Sequence, residues 1–229
     1  VFGYSARELF GSREGRGVLE AAAMGVEIGP GQLAMRVNVI ALENGCLKSH
    51  SAGHITTEEA RELIEFLDAN LNLPGVHLHT GISYRHLLLL DGGDERVECA
   101  PPHDHIGERV EDTLPRPEDP AAEETARRLR ELVARSRELL AEHPVNQARR
   151  AAGKLAADSL WPWAPGTKPR MKTFQERYGV TGAAISAVDL IRGIGVYAGL
   201  EPIVVEGATG LWDTNYEGKA QAAMQALDR

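Results

Sequence analysis

Short β-branched runs alternate with helix-periodic segments along this chain. That alternation restricts its fold more than any other feature. Leu33 to Leu42 alternates and is rich in Val and Ile, so it is predicted to be a strand. Thr56-Thr57-Glu58-Glu59 opens a helix, because Thr56 can cap and Glu59 stands at the capping-box spacing. That helix is expected to run to about Ala69 and to stop before Pro74. Val76 to His79 and Tyr84 to Leu90 read as strands. Within Ala121 to Glu142, the residues Ala126, Leu129, Leu132, Val133 and Leu139-Leu140 recur at helical spacing. Ala183 to Ser186 reads as a short strand feeding a helix from about Ala187 to Ala198, stopped by Gly199. Glu201 to Val205 reads as another strand and Asn215 to Leu227 as another helix. The expected class is α/β, a mixed sheet with flanking helices.

Two stretches interrupt this order. Pro101 to Pro120 carries further prolines at Pro102, Pro115 and Pro117 and is expected to be a loop or linker. Trp161-Pro162-Trp163-Ala164-Pro165-Gly166-Thr167-Lys168-Pro169 is a second breaker-rich stretch. A length of 229 residues is enough to bury a real core. A net charge of -8 and 5% aromatic residues disfavour a general nucleic-acid binder, though not a local basic pocket for a small anion. The sequence has no apolar run long enough for a transmembrane helix. Cys46 and Cys99 lack any Cys-x-x-Cys or zinc spacing and read as small apolar fillers. A chain that opens on Val1 and stops at Arg229 reads as part of a longer one.

Chemistry-bearing residues cluster in short motifs. Ser51-Ala52-Gly53-His54-Ile55 presents an imidazole just before a capped helix, where N–H groups favour an anion. A solvent-exposed loop histidine is the alternative there. In Ser83-Tyr84-Arg85-His86, strand alternation sends Arg85 and His86 to opposite faces. A guanidinium at a strand end can grip phosphate or carboxylate with two parallel bonds, or pair with an acid. His77 and His79 share one strand face, but no third metal ligand is evident nearby. Pro101-Pro102-His103-Asp104-His105 can ligate a metal or offer an imidazole and a carboxylate to a polar substrate. Gly166 to Arg170 is a basic loop without a Walker pattern. Arg192-Gly193-Ile194-Gly195 lies in a helix-like run and is not a dinucleotide fingerprint. Gly207 to Lys219 offers a capping Asn215 and an anion-reaching Lys219. From the residues alone, these add up to an anion pocket in an acidic protein.

Several of these runs resemble the archaeal-type, cofactor-independent phosphoglycerate mutases. The resemblance is carried by Gly15-Arg16-Gly17-Val18-Leu19-Glu20-Ala21-Ala22-Ala23-Met24-Gly25-Val26, Ser51 to Ala60, Gly81 to Leu88, Pro101 to Asp104 and His143-Pro144-Val145-Asn146. Ile185 to Gly195 and Gly207 to Lys219 complete the set, in family order across nearly the whole chain. Departures are Gly3-Tyr4-Ser5-Ala6, where Asp-Pro usually follows the tyrosine, and the Trp161 to Gly166 run, where the family has Trp-x-Trp-Gly.

The resemblance implies an enzyme of the alkaline-phosphatase superfamily that interconverts 3-phosphoglycerate and 2-phosphoglycerate through a phosphoserine. Two divalent metals, Mn, Mg or Co, serve the full-length parent. It further implies that the nucleophilic serine and the metal ligands lie outside this chain, so no catalytic residue and no metal are expected within it. The chain alone is then expected to be without turnover. The implied division is a core piece at 1–30, an inserted substrate-binding domain at 31–172 and a return into the core at 173–229. Arg85, Lys168 and Lys219 would supply positive charge to the phosphate or carboxylate, with His86 in the same motif as Arg85. His54, His103 and Asp104 would hold the glycerate hydroxyls or shuttle their protons. Arg16 and Arg192 are further candidates near the domain junction. The implied partner is the small-molecule phosphoglycerate, with no nucleic acid and no membrane, in the cytoplasm. Homo-oligomers through unpaired core segments are a further expectation. The alternatives are a sister branch proposed to phosphorylate homoserine, whose discriminating runs look mutase-like here, and a non-catalytic small-anion-binding module.

Overall fold

The structure is a computed structural model that describes residues 2–5, 15–169 and 171–228. Ala6 and Arg170, each part of a run singled out above, lie outside the described residues. The chain divides into two compact units, one of residues 28–167 and one formed by 1–27 together with 168–229.

The larger unit is built on a sheet whose pairings are all antiparallel. Its strands are β1 (Gln32–Glu43), β2 (Cys46–Ser49), β3 (Val76–Ile82), β4 (Arg85–Asp91) and, later in the chain, β7 (Ser159–Gly166). The order is β2-β1-β4-β3, with β7 also on β1. Alternation along β1 sends Leu33, Met35, Val37, Val39 and Ala41 into one core. There they meet helix α2 (Thr57–Asn70) through Ala60, Leu63, Ile64 and Leu67, and helix α3 (Glu123–Leu140) through Ala126, Leu129 and Leu132. The expected cap of α2 is present: Thr56 Oγ1 accepts from Glu59 N at 3.3 Å, and Thr56 N donates to the Glu59 carboxylate at 3.1 Å. Helix α4 (Pro144–Ala151) follows α3 and opens with proline at a position where its missing N–H costs nothing.

The Trp161 to Gly166 run is a strand and not the break that its prolines suggest. β7 pairs with β1 alone, so Pro162 needs no donor on its outer edge. A bulge absorbs the irregularity: Ala34 opposes Gly166, Arg36 opposes Trp163, and Ala164 takes a φ of 52°. Burial of Trp161 and Trp163 to 5% and 6% exposure supplies the packing that holds the strand. The proline-rich 101–120 segment is an ordered loop rather than a free linker. Short strands β5 (Val97–Glu98) and β6 (Arg116–Pro117) close it. Leu47 N donates to Glu108 O at 2.9 Å and Gly107 N to Leu47 O at 2.8 Å, which ties the loop to β2.

The second unit contains α1 (Arg16–Ala23), α5 (Phe174–Tyr178), β8 (Ala183–Ile185), α6 (Asp189–Tyr197), β9 (Glu201–Ile203) and α7 (Tyr216–Leu227). Its β8 and β9 pair in parallel, so parallel pairing among the described strands is confined to this unit. Tyr4, Leu19, Ala184, Ile194, Ala198 and Leu200 form its core. Gly193 is set by packing: a Cβ there would lie 2.1 Å from Leu19 O, so only glycine lets α6 approach α1 this closely.

Candidate functional site

The face of β1 opposite the core carries Arg36 and Asn38, and polar groups from distant parts of the chain assemble around them. Asn38 is 2% exposed and fully engaged. Its Nδ2 donates to His50 O at 2.9 Å, and its Oδ1 accepts from Trp163 Nε1 at 3.0 Å. This one amide fixes both the loop after β2 and the indole of β7. A continuous row of side chains results. The Arg36 guanidinium lies 5.2 Å from the Trp163 ring centroid. His103 meets Trp163 edge-on at 5.5 Å and His50 at 6.3 Å. His50 meets Tyr84 at 5.6 Å, and Arg85 lies 5.8 Å from the Tyr84 centroid. A guanidinium therefore stands at each end of a row of imidazole and aromatic rings.

Three loops bring the row together. The 3-10 turn Pro102–Asp104 carries exposed His103 and Asp104, 3.9 Å apart. The Ile82 to Arg85 hairpin turn is fastened to the loop before α2, since Ser83 Oγ donates to Ile55 O at 2.6 Å and Ser83 N to Thr57 Oγ1 at 3.0 Å. The Ser49 to His54 loop is bound internally: Ser49 Oγ accepts from Gly53 N at 3.0 Å and Ser51 Oγ from His54 N at 3.3 Å. His54 itself is exposed.

Electrostatics follow from this crowding. Burial pushes the His50 imidazole down from 6.5, and the neighbouring His103 and His54 push it the same way. Near neutrality such an imidazole stays unprotonated. For Glu59, burial raises the carboxyl, but the Thr56 N–H and the Arg149 and Lys154 charges outweigh it and the net shift is downward. Guanidinium, imidazole and carboxylate on one face suit a small anion that also carries hydroxyl groups.

Of the residues singled out from the sequence, His54, Arg85, His103 and Asp104 come to this face or its edge. His86 does not. It is fully buried, opposite Val37 on β1. Its Nδ1 accepts from Gly81 N at 3.1 Å, which leaves the proton on Nε2, a buried atom without a partner. Burial lowers its pKa to about 3. The alternation that sends Arg85 outward sends His86 inward, so His86 supports the hairpin from the buried side of the sheet. The remaining candidates lie in the second unit. Arg192 donates to Ala23 O at 3.1 Å and lies 3.6 Å from Asp189, so it joins α6 to the end of α1. Lys219 Nζ donates to Thr209 O at 3.2 Å, and Asn215 caps α7 through Gly218 N at 2.9 Å. Arg16 and Lys168 are exposed.

His50, Tyr84, Trp163, Arg36 and Asn38 were missed as site residues. A signal for His50 was available: it stands four residues before His54 in the same small-residue run. Arg36 and Asn38 carried the signal of two polar side chains on the outward phase of a strand whose other phase is apolar. Nothing in the local sequence relates Trp163 to His103.

Fold and residues together define the class: an α/β protein in which an antiparallel unit, bearing a row of imidazole and guanidinium groups, is inserted between two stretches of a second unit. A family model described as 2,3-bisphosphoglycerate-independent phosphoglycerate mutase matches residues 1–146. The chain is 49% identical over 229 residues to a protein of that name from Methanosarcina acetivorans, covering 99% of this chain and 55% of that protein. It is 44% identical over 229 residues to 2,3-bisphosphoglycerate-independent phosphoglycerate mutase 2 of Methanothermobacter thermautotrophicus, covering 100% and 54%. A solved structure from Pyrococcus horikoshii matches with a TM-score of 0.75 and 28% identity, over 99% of this chain and 51% of that one. The cofactor-independent phosphoglycerate mutase from Thermoplasma acidophilum shares the fold, with a TM-score of 0.65 at 24% identity, over 97% and 58%. The chain belongs to the family of 2,3-bisphosphoglycerate-independent phosphoglycerate mutases. It spans about half the length of the curated relatives it matches.

Proposed function

We propose that this chain is part of a phosphoglycerate mutase that interconverts 3-phosphoglycerate and 2-phosphoglycerate, and that its antiparallel unit holds the substrate. The observation that carries the reading is the row from Arg36 through Trp163, His103, His50 and Tyr84 to Arg85. It gathers on one face the residue types that a phosphorylated hydroxy acid requires. Arg85 and Arg36 take the phosphate or carboxylate, as charge-assisted donors. His54, His103 and Asp104 take the hydroxyls and hold or move their protons. Lys168, Lys219, Arg16 and Arg192 belong to the second unit and are not assigned to this face.

The family's phosphoserine chemistry uses two divalent metals, Mn, Mg or Co. Among the described residues no group of three or more His, Cys, Asp or Glu side chains could hold a metal ion. The described residues therefore do not fit the metals. Binding without turnover is the expected behaviour of this chain, since affinity alone accelerates nothing unless the transition state is held more tightly than the ground state.

Among the described residues no helix is long and apolar enough to cross a membrane. A cytoplasmic setting without nucleic-acid or membrane partners fits this reading. So does association of two copies through the second unit, which exposes Leu211, Trp212 and Leu227 at 69%, 86% and 83%. Light scattering across a concentration series measures that association.

The function is tested by titrating this chain with 3-phosphoglycerate in a calorimeter, and by an enolase-coupled assay on the protein that carries it. Saturable binding and coupled turnover support the reading. Phosphorylation of homoserine in place of mutase turnover would assign the sister branch. Anion binding with neither activity would leave a binding module.

A further inference from the structure

The turn that presents His54 has a backbone that local preference does not hold. Ala52, Gly53 and His54 are consecutive left-handed residues, with φ of 46°, 63° and 55°. Glycine enters that region freely, but residues with a Cβ do so against steric repulsion. A buried cation from another element grips this turn. Arg149, on α4, is 3% exposed. Its Nη2 donates to Ala52 O at 2.6 Å, its Nε to Leu155 O at 2.8 Å, and its Nη1 to the Glu59 carboxylate. The same Glu59 oxygen accepts from Thr56 N at 3.1 Å. One guanidinium thus joins the start of the turn to the helix cap at its end. Leu155 closes the turn from the side, where a Cβ on Gly53 would lie 3.2 Å from Leu155 Cβ. Beyond the turn, the Ile55 carbonyl receives Ser83 Oγ, next to Tyr84 and Arg85.

We infer that Arg149 is a positioning residue: by fixing the Ala52 carbonyl it holds the left-handed turn that places His54 beside His50, and so sets the affinity of this face for a phosphorylated hydroxy acid. For its ligand the inference rests on the proposed function; for its geometry it does not. Three acceptors in different directions require a planar fork. A lysine ammonium at this place reaches fewer of them.

The test uses Arg149→Met, Arg149→Lys, and Arg149→Met combined with Ala52→Gly, all in this chain. Three quantities are read: thermal unfolding, imidazole titration of His50 and His54 by NMR, and calorimetric affinity for 3-phosphoglycerate. In Arg149→Met the His50 titration is expected to move up slightly, by the His54 share alone, while burial and His103 still hold it below its ordinary value, and binding weakens tenfold or more. Arg149→Lys falls between. Adding Ala52→Gly is expected to restore part of the His50 titration and of the affinity, since it relieves one of the two left-handed residues that carry a Cβ. A lower melting temperature with His50 titration and affinity unchanged would reduce Arg149 to scaffold and overturn the inference. Failure of Ala52→Gly to restore either readout overturns it as well. If Arg149→Met does not fold, Arg149→Lys carries the same readouts. If the unaltered chain binds no 3-phosphoglycerate, the substrate reading falls, and the His50 titration still decides the positioning role.

Discussion

Neighbouring residues on one strand have opposite fates, as Arg85 and His86 do on β4. Arg85 stands at the open end of the ring row, half-buried, with its guanidinium against Tyr84. A charge-assisted bond to an anion is worth about 1.5–3 kcal/mol. Arg85→Ala is therefore expected to weaken 3-phosphoglycerate binding at least tenfold with the far-UV circular dichroism unchanged. Unaltered affinity in a calorimetric titration removes Arg85 from the site. His86 makes a stability prediction instead. Its folded pKa is about 3 against an ordinary 6.5, so the unfolded chain binds the proton more readily. The stability that His86 contributes is complete above pH 6.5 and is lost as pH falls toward 3, at roughly 1.4 kcal/mol per pH unit at most. His50 and His79, both lowered first by burial, act in the same direction. Urea unfolding at pH 7 and pH 4 should show a smaller loss in His86→Gln, which can still accept from Gly81 N but does not titrate. Equal losses in both proteins would rule His86 out as a source of acid lability.

At the scale of elements, caps and edges decide where structure begins and where proline is tolerated. The Thr56 cap both starts α2 and ends the loop that bears His54. Thr56→Ala is expected to cost about 1 kcal/mol, the usual value of a lost N-cap. Chemical denaturation checks it, and a change below the precision of that measurement would mean that Arg149 and Glu59 hold the helix start without the hydroxyl. β7 illustrates the opposite case. Its sequence signals a break, yet β1 offers an unpaired flank over Ala34 to Ile40 and the two indoles have a core to enter. Side-chain burial overrides local preference in this strand because an edge demands ladder bonds on one side only.

The whole molecule has two units, each with its own core, one around Leu33 to Ala41 and one around Leu19 and Ile194. Separate cores predict separate cooperativity. Calorimetry should resolve two transitions, and hydrogen exchange should protect residues 28–167 to a different level from the second unit. A single transition with uniform protection would show that the units unfold as one. Gly193→Ala then assigns the transitions. Its Cβ would press on Leu19 O, so overpacking of about 1–3 kcal/mol should lower the second unit's transition and leave the other in place.

By itself the sequence determined what depends on neighbours a few residues apart. The alternation of β1, the capping box of α2, the period of α3 and the stop at Gly199 are all short-range, and each was legible. So were the family motifs and the candidacy of His54, Arg85, His103 and Asp104. Only the tertiary structure decided which of these groups meet. Strand order and register set Trp163 opposite Arg36, the ordered 101–120 loop laid His103 on that indole, and Asn38 drew the His50 loop to the same place. Those contacts join segments far apart in the chain, and no local pattern encodes them. The same pairing turned His86 inward and gave β7 its strand. A residue's role in this protein depends on which face of the sheet it occupies, and that is fixed only when the strands have found their partners.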